Sequence, residues 1–117
     1  MNYSIGTASA MCGLSIDTLR FYEKNGLLHV NRDANNRRYY TDRDLEWIAF
    51  LTRLKEIGMS LKNMKEYADL RYQGDETVSE RLRMLFDQMD LLKQERNKLD
   101  KQLDFLERKI KKYLKIE

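Results

Sequence analysis

The residues between 15 and 25 carry side chains whose types and spacing suit one particular chemistry. Ser15 can cap a helix start, because its hydroxyl accepts a hydrogen bond from an N–H that lacks an intrahelical partner. Thr18, Arg20, Phe21 and Tyr22 follow within the predicted helix. Arginine binds guanine edges or phosphate, and a tyrosine hydroxyl binds phosphate, so this helix is predicted to contact nucleic acid. A solvated amphipathic helix is the alternative that these residues leave open.

A second group of basic and aromatic side chains comprises Arg37, Arg38 and Tyr40. It follows the polar segment 31–36, which predicts a tight hairpin turn because asparagine tolerates a positive φ. Basic and aromatic residues on a projecting hairpin are typical of a wing that contacts phosphates. In an ordinary exposed hairpin the same charges would only keep a sheet edge soluble.

A third cationic position is Lys62, just after a helix start that Ser60 is predicted to cap. Backbone N–H groups at a helix N-terminus favour anions. We therefore expect a further phosphate contact at Lys62.

The elements that would position these side chains can be traced from glycines and caps. Gly13 separates a helix over residues 5–12 from the helix at Ser15, and two short helices around such a turn form a helix-turn-helix. Thr41 and Asp44 resemble a capping box that opens a third helix, which runs to about Ile57 with a wide apolar face. This third helix is predicted to form the centre of a small core.

Helical spacing also assigns core positions in the first two helices. Ile5, Ala8, Met11 and Cys12 share one face, and Ile16 shares another with Leu19. We expect both faces to point inward.

One pattern continues from about residue 75 to the end of the chain. Apolar residues recur at alternating steps of four and three, with Arg96 as the one charged exception in the seam. This pattern predicts a coiled coil, and because the chain has no second such helix the partner should be another copy. The seam alone leaves parallel and antiparallel pairing open. The residues predicted to form the dimer contact are Leu82, Leu85, Met89, Leu92, Leu99, Leu103, Leu106 and Ile110.

The composition limits the function classes. Charged residues make up 35% of the 117 residues and the net charge is +3, which suits a small core with a long exposed helix and permits an anionic partner. A single cysteine rules out an internal disulfide and a thiolate cluster, so no metal site and no cofactor are predicted.

The sequence has no membrane-spanning apolar run and no signal peptide, and we expect a cytoplasmic, nucleoid-associated protein. No set of catalytic residues is evident, so an enzyme is not predicted.

The chain resembles the MerR family of bacterial transcription regulators over nearly its whole length. The matching stretches are residues 3–6, 18–27 (TLRFYEKNGL), 38–45 (RYYTDRDL) and 54–61, followed by the terminal coiled coil. The resemblance implies a mainly α fold: a winged helix-turn-helix DNA-binding head with a small β-hairpin wing over residues 1–74, and a long dimerisation helix over residues 75–117 that pairs as an antiparallel coiled coil.

The resemblance also implies a mode of action and functional residues. A homodimer would bind a pseudo-palindromic operator in promoter DNA and distort the spacer, so that RNA polymerase engages both promoter elements. Thr18, Arg20 and Tyr22 match residues that meet the major groove or its phosphates. Arg38 and Tyr40 match those of the wing. Two departures are the Phe21-Tyr22 pair, where the family often has two tyrosines, and Arg37, which precedes Arg38 in place of an aromatic residue.

The sensed signal is not specified by this resemblance. The C-terminal region is similar to the short-tailed subgroup that responds to aldehydes and other electrophiles, but the subgroup's third-helix cysteine is absent around Thr52. Cys12 is alone and reads as a small buried hydrophobe. One further set of residues is predicted mainly to pack at an interface, and the alternative is a pocket for a small effector between the head and the partner's coiled coil. These residues are Tyr67, Tyr72, Phe86 and Met89.

Two other functions stay open at this point. An architectural protein would bend DNA at many loci without effector control. A coiled-coil interaction module would carry a basic head with no role in DNA binding, and salt-dependent, sequence-selective binding would reject that hypothesis.

Overall fold

A computed structural model describes residues 1–116 of the protein. Its internal contacts divide the chain into Met1–Arg81, which we call the head, and a second unit, Leu82–Glu117. The resemblance placed this boundary between residues 74 and 75. Glu117, the last residue of the predicted second domain, lies outside the described residues.

The elements alternate short strands with helices. In chain order they are β1 (Asn2–Tyr3), α1 (Ile5–Cys12), α2 (Ile16–Lys24), β2 (Asn31–Arg32), β3 (Arg38–Thr41), α3 (Asp42–Glu56), α4 (Leu61–Gln73) and α5 (Val78–Ile116), with a 3₁₀ turn at Asp75–Thr77. This is the predicted winged helix-turn-helix head with a long C-terminal helix, and the mainly α fold class is confirmed.

Side-chain caps explain where the first four helices begin. Ser4, Ser15, Thr41 and Ser60 each accept a hydrogen bond from the backbone N–H three residues further on. At Thr41 the box is reciprocal, because the Asp44 carboxylate also accepts from the Thr41 N–H at 2.9 Å. The predicted helix starts are therefore confirmed.

The wing is part of a three-stranded antiparallel sheet of order β1-β3-β2. Strand β3 pairs Tyr40 with Tyr3 on one side and Arg38 with Arg32 on the other. The sequence did not predict β1, because two residues are too short to show an alternating pattern. At the hairpin tip Asn36 adopts a φ of 61°, as expected for the turn.

Helix α3 forms the centre of the head's core, as predicted. Its residues Trp47, Ile48, Leu51 and Leu54 are buried, and the Trp47 indole N–H donates to the Leu27 carbonyl at 2.8 Å. The other buried apolar side chains among residues 1–116 are Ala8, Leu19, Tyr22, Leu27, Leu28, Tyr40, Met59, Met64, Tyr67 and Ala68.

Two of the expected core faces are narrower than the sequence suggested. Only Ala8 is buried in α1, while Met11 is exposed and Cys12 is half-buried. In α2 Leu19 is buried but Ile16 is exposed. Each of these helices is short, with eight and nine residues, and helical spacing overestimates the buried face because it does not show which neighbouring elements cover it.

Helix α5 spans 39 residues, or about 60 Å at 1.5 Å per residue. The sequence contains no proline to interrupt it. The predicted seam lies within this helix, and Leu85 is half-buried in the single chain. The other predicted seam residues are exposed: Leu82, Met89, Leu92, Leu99, Leu103, Leu106 and Ile110.

We expect two buried tyrosines to respond differently to removal of the hydroxyl. The Thr52 side chain interacts with the Tyr22 hydroxyl and lowers its pKa, against the larger effect of burial. Tyr22→Phe removes this interaction and should lower the free energy of unfolding by about 1 kcal/mol. The Tyr40 hydroxyl is buried without a hydrogen-bond partner among the described residues, so Tyr40→Phe should leave stability unchanged or raise it by about 1 kcal/mol. Chemical denaturation of the DNA-free protein measures both. A loss at Tyr40 equal to that at Tyr22 would contradict the expectation.

Candidate nucleic-acid interface

Helix α2 exposes the side chains that suit base and phosphate contacts. Its N-cap, Ser15, accepts from the Thr18 N–H at 3.0 Å, and the two hydroxyl oxygens lie 2.8 Å apart. Arg20 and Phe21 are exposed, the latter at 47% of its surface. The helix therefore combines a polar start, a cation and an apolar ring on one accessible surface.

Arg20 is available to a ligand. Its nearest carboxylate is that of Asp17 on the preceding turn, with a nitrogen–oxygen distance of 3.9 Å and both side chains exposed. A pair this long and this exposed contributes little to stability. Guanine edges or phosphate oxygens could therefore replace Asp17 at low cost.

The two tyrosines that the sequence assigned to DNA contact lie in the core. Tyr22 is 3% exposed and Tyr40 is fully buried. Burial raises the pKa of both phenols, because the charged form is desolvated. The Tyr40 hydroxyl is buried, and little of the Tyr22 surface is exposed. In this arrangement both tyrosines pack in the core, where they position α2 and the wing, and their phosphate contacts stay predictions.

The two consecutive arginines of the wing, Arg37 and Arg38, have different surroundings. Arg37 is exposed next to the tip. The Asp33 carboxylate accepts from the N–H groups of Asn35 and Arg37, each at 2.9 Å, and so fixes the shape of the tip. The wing therefore fixes the backbone at Arg37, whose guanidinium has no hydrogen-bond or ion-pair partner within residues 1–116.

Arg38 joins the wing to α2. Its Nε donates to the Glu23 carboxylate at 2.9 Å, and both side chains are largely shielded from solvent. Arg38 was predicted to contact phosphate, and Glu23 was assigned no role. Because the two residues are 15 positions apart, no local pattern indicates their pairing. In the DNA-free head Arg38 is therefore primarily a structural link.

Lys62 lies where the sequence predicted, in the first turn of α4. The Ser60 cap accepts from the Asn63 N–H at 3.1 Å, and Lys62 itself is exposed. The first turn of α4 carries no acidic residue. This helix start is accordingly suited to an anion.

The residues of the predicted effector pocket differ in their surroundings. Tyr67 is buried and stacks on Trp47, while Tyr72 is half-buried and stacks on His29 with ring centroids 3.6 Å apart. Phe86 and Met89 are exposed on α5, in the second unit. A single pocket formed by Tyr67, Tyr72, Phe86 and Met89 stays a prediction.

Cys12, predicted to be a small buried residue, is half-buried in α1. Burial raises the pKa of the Cys12 thiol, which disfavours the reactive thiolate. Within residues 1–116, no cluster of three or more His, Cys, Asp or Glu side chains is arranged to hold a metal ion. A search of the same residues finds no helix long and apolar enough to cross a membrane.

The fold and these exposed cations define a winged helix-turn-helix protein with a DNA-binding head. A family model described as "MerR HTH family regulatory protein" matches residues 3–70, and a second, described as "MerR, DNA binding", matches residues 45–113. The protein belongs to the MerR family of HTH regulatory proteins, as its sequence motifs predicted.

Individual relatives extend the similarity over nearly the full chain. An uncharacterised HTH-type transcriptional regulator of Haemophilus influenzae is 42% identical over 116 residues, covering 98% of this chain and 86% of the relative. The crystal structure of HiNmlR, described as a MerR family regulator lacking the sensor domain and bound to promoter DNA, has a TM-score of 0.79 at 42% identity, covering 98% of this chain and 92% of that one. A MerR family regulator from Listeria monocytogenes has a TM-score of 0.82 at 32% identity, covering 95% and 85% of the two chains.

The Arg38–Glu23 pair should stabilise the head. A double-mutant cycle with Glu23→Gln and Arg38→Gln should give a coupling free energy of roughly 1 kcal/mol in chemical denaturation, because the pair is short and partly shielded from solvent. The exposed Arg53–Glu56 pair, at 3.7 Å, is the matched control and should show no measurable coupling. Equal coupling in both cycles would mean that the wing is not held to α2 by this contact.

Proposed function

We propose that this MerR-type transcription regulator binds, as a homodimer, a promoter operator made of two half-sites. Distortion of the spacer DNA between promoter elements would then control access of RNA polymerase. The observation that carries the proposal is the surface of α2, which buries Leu19 and Tyr22 while leaving Arg20 and Phe21 accessible. The MerR family membership supports the same assignment.

Residue roles in the head follow from accessibility. Arg20 reads guanine edges or binds phosphate, and Phe21 supplies apolar contact of the kind that a thymine methyl group accepts. Ser15 and Thr18 lie at the start of the same helix, where hydroxyl and N–H groups contact phosphate. Tyr22, on the buried side of α2, packs in the core and positions the exposed side chains of the helix.

Two further cations complete the proposed phosphate contacts. Arg37 extends from the wing, and Lys62 from the N-terminus of α4. Contacts of this kind set the register of the head on the duplex without reading sequence. Arg38 and Tyr40 act on DNA indirectly, by fixing the wing that carries Arg37.

Dimerisation is supported by the exposed apolar stripe of α5. A solvent-exposed helix cannot bury its own stripe, and a fully buried leucine contributes about 1.5–3 kcal/mol. Eight seam residues, even partly buried, can offset an association cost estimated at roughly 4–15 kcal/mol. Two heads linked by an antiparallel pair of α5 helices would then bind one pseudo-palindromic site.

The proposal also covers where the regulator acts in the cell and what controls it. The regulator would act on chromosomal DNA in the cytoplasm and would associate with the nucleoid there. It needs no cofactor for this activity. A small-molecule effector would shift the equilibrium between the DNA-bound states that permit and prevent transcription.

Footprinting and fluorescence anisotropy test the DNA contacts. We expect the DNA upstream of the protein's own or neighbouring genes to contain one protected site with two half-sites. Arg20→Ala should reduce the preference for that site over unrelated DNA by roughly 1–3 kcal/mol, because it removes a base contact. Arg37→Ala should weaken binding to both DNAs and lower the slope of log K against log salt by about 0.9.

Arg83→Ala provides the control for the loss of one positive charge, since Arg83 is an exposed residue of α5. It should change neither preference nor affinity by more than a small factor. Identical effects of Arg20→Ala and Arg37→Ala would contradict the separate roles, and protection of many unrelated loci would indicate an architectural protein.

The dimer is tested by paired substitutions on and off the seam. Leu99→Lys with Leu103→Lys should give a monomer by light scattering and little operator affinity, because two charges would enter the apolar contact. Gln94→Lys with Asn97→Lys adds the same charges at exposed off-seam positions of the same helix and should stay dimeric. A wild-type monomer that retains full operator affinity would overturn the dimer proposal.

A further inference from the structure

A cleft of about 390 Å³ lies in the head, apart from the proposed DNA-contacting side chains. It is formed where α3 begins, where α4 ends and where the chain turns into α5. Its volume falls in the range of small-molecule sites. Its charged lining residues are Arg43, Asp44, Arg71, Asp75 and Arg81, with Tyr72 beside them.

Three guanidinium groups line this cleft without a carboxylate partner. Among the described residues, no carboxylate oxygen lies within 4.0 Å of Arg43, Arg71 or Arg81, whereas Arg20, Arg38, Arg53 and Arg108 each have one at that distance. Unpaired arginines that converge on one concave surface are the arrangement that binds phosphate or carboxylate groups.

Two of these arginines are held in place by groups that leave N–H donors free. The Arg71 guanidinium stacks on the rings of Trp47 and Tyr72, at 4.4 and 4.8 Å from their centroids. Arg81 donates from Nε to Thr77 Oγ1 at 3.0 Å and from Nη2 to the Gly74 carbonyl at 3.2 Å. Because a guanidinium carries five N–H donors, both residues retain donors for a ligand.

Arg43 differs from the other two. It is exposed in the first turn of α3, and its side chain makes no hydrogen bond or ion pair within the described residues. Arg43 therefore provides a cation that can be removed without breaking a contact of the folded head.

The acidic residues of the cleft reduce the positive charge but do not cancel it. Asp44 is engaged through Oδ2, which accepts from Asn31 Nδ2 and from the Thr41 N–H, each at 2.9 Å. Asp75 is exposed and forms no ion pair in the described residues. Two carboxylates, one of them already satisfied by neutral donors, face three guanidinium groups.

We propose that this cleft is a binding site for a small polyanion, a metabolite-sized molecule with phosphate or carboxylate groups. Asp44 couples the site to the wing, because its carboxylate holds both Asn31 in β2 and the Thr41 N–H at the end of β3. A ligand beside Arg43 and Asp44 would thus act on the base of the wing. This regulatory consequence rests on the proposed function, whereas the binding itself does not.

A phosphate of bound DNA has the same chemistry as the proposed ligand. The cleft lies at the C-terminal end of α4, and Lys62, the proposed phosphate contact, lies in its first turn. Nine residues separate Lys62 from Arg71, or about 14 Å along the helix axis. We therefore favour a free small anion over the duplex that Lys62 would contact.

The test uses the full-length, DNA-free protein with pyrophosphate and citrate as probes. Calorimetric titration and thermal unfolding are run at one ionic strength, with sodium chloride as the reference. At least one probe should bind and raise the Tm of the wild type. Arg43→Gln should weaken that binding tenfold or more, while Arg53→Gln, which removes one exposed arginine from the same helix, should leave it unchanged.

Every other outcome overturns the proposal. No binding of either probe at millimolar concentration would exclude the site, and equal weakening by Arg43→Gln and Arg53→Gln would indicate non-specific attraction. If Arg43→Gln weakens binding to DNA of unrelated sequence and neither probe binds, the occupant of the cleft is the DNA backbone. Wild-type operator binding, measured separately, reports on the proposed function and does not depend on these results.

Discussion

The indole of Trp47 is the contact on which the arrangement of the head depends. Its N–H donates to the Leu27 carbonyl, which ties α3 to the segment just after α2. Its ring stacks on Tyr67, and the Arg71 guanidinium lies over it, so α4 is held by the same side chain. A large aromatic residue with one N–H donor can join three chain segments in this way, because it contributes both apolar area and a directed hydrogen bond.

Two polar contacts connect the wing to the helices of the head. The Asp44 carboxylate closes the capping box of α3 and also binds Asn31, so the helix that carries Trp47 fixes the base of the hairpin. The Arg38–Glu23 pair then links the hairpin to α2. As a result Arg20 and Arg37, on different elements, are presented by one connected framework. Pre-organisation of this kind lowers the ordering cost of binding.

Sequence-based prediction succeeded where the determining interactions are local. The Ser15 cap, the turn at Asn36 and the capping box at Thr41 each depend on residues within four positions of one another, and all three occur in the structure. The heptad pattern likewise predicted one continuous helix for α5, because no residue in it opposes helix formation. Family motifs added the identity of the head, which composition alone left open.

Prediction failed where burial depends on distant parts of the chain. Tyr22 and Tyr40 carry hydroxyls that suit phosphate, but Tyr22 is covered in the folded head, and pairing with β1 places Tyr3 beside Tyr40. Ile16 obeys the same helical spacing as Leu19 and is nevertheless exposed. The Arg38–Glu23 link was missed because charge pairing across 15 residues leaves no periodic signal. A residue type therefore indicated which chemistry was possible, and only the tertiary contacts decided which residues are free to perform it.

The head and α5 differ in how much of their apolar surface is buried. This difference explains why DNA binding is assigned to the head and dimerisation to α5. The head buries a set of apolar side chains around α3, which satisfies what a small domain needs for an independent core. In α5 the described residues include one buried position, Gln88, and a long series of exposed leucines. Helix propensity alone is a weak source of stability, and most helices in proteins are stabilised by packing of an apolar face. The head thus has the contacts to hold a fixed DNA-binding surface within one chain. The apolar stripe of α5 is left exposed in the single chain, which is why we propose that a second copy covers it.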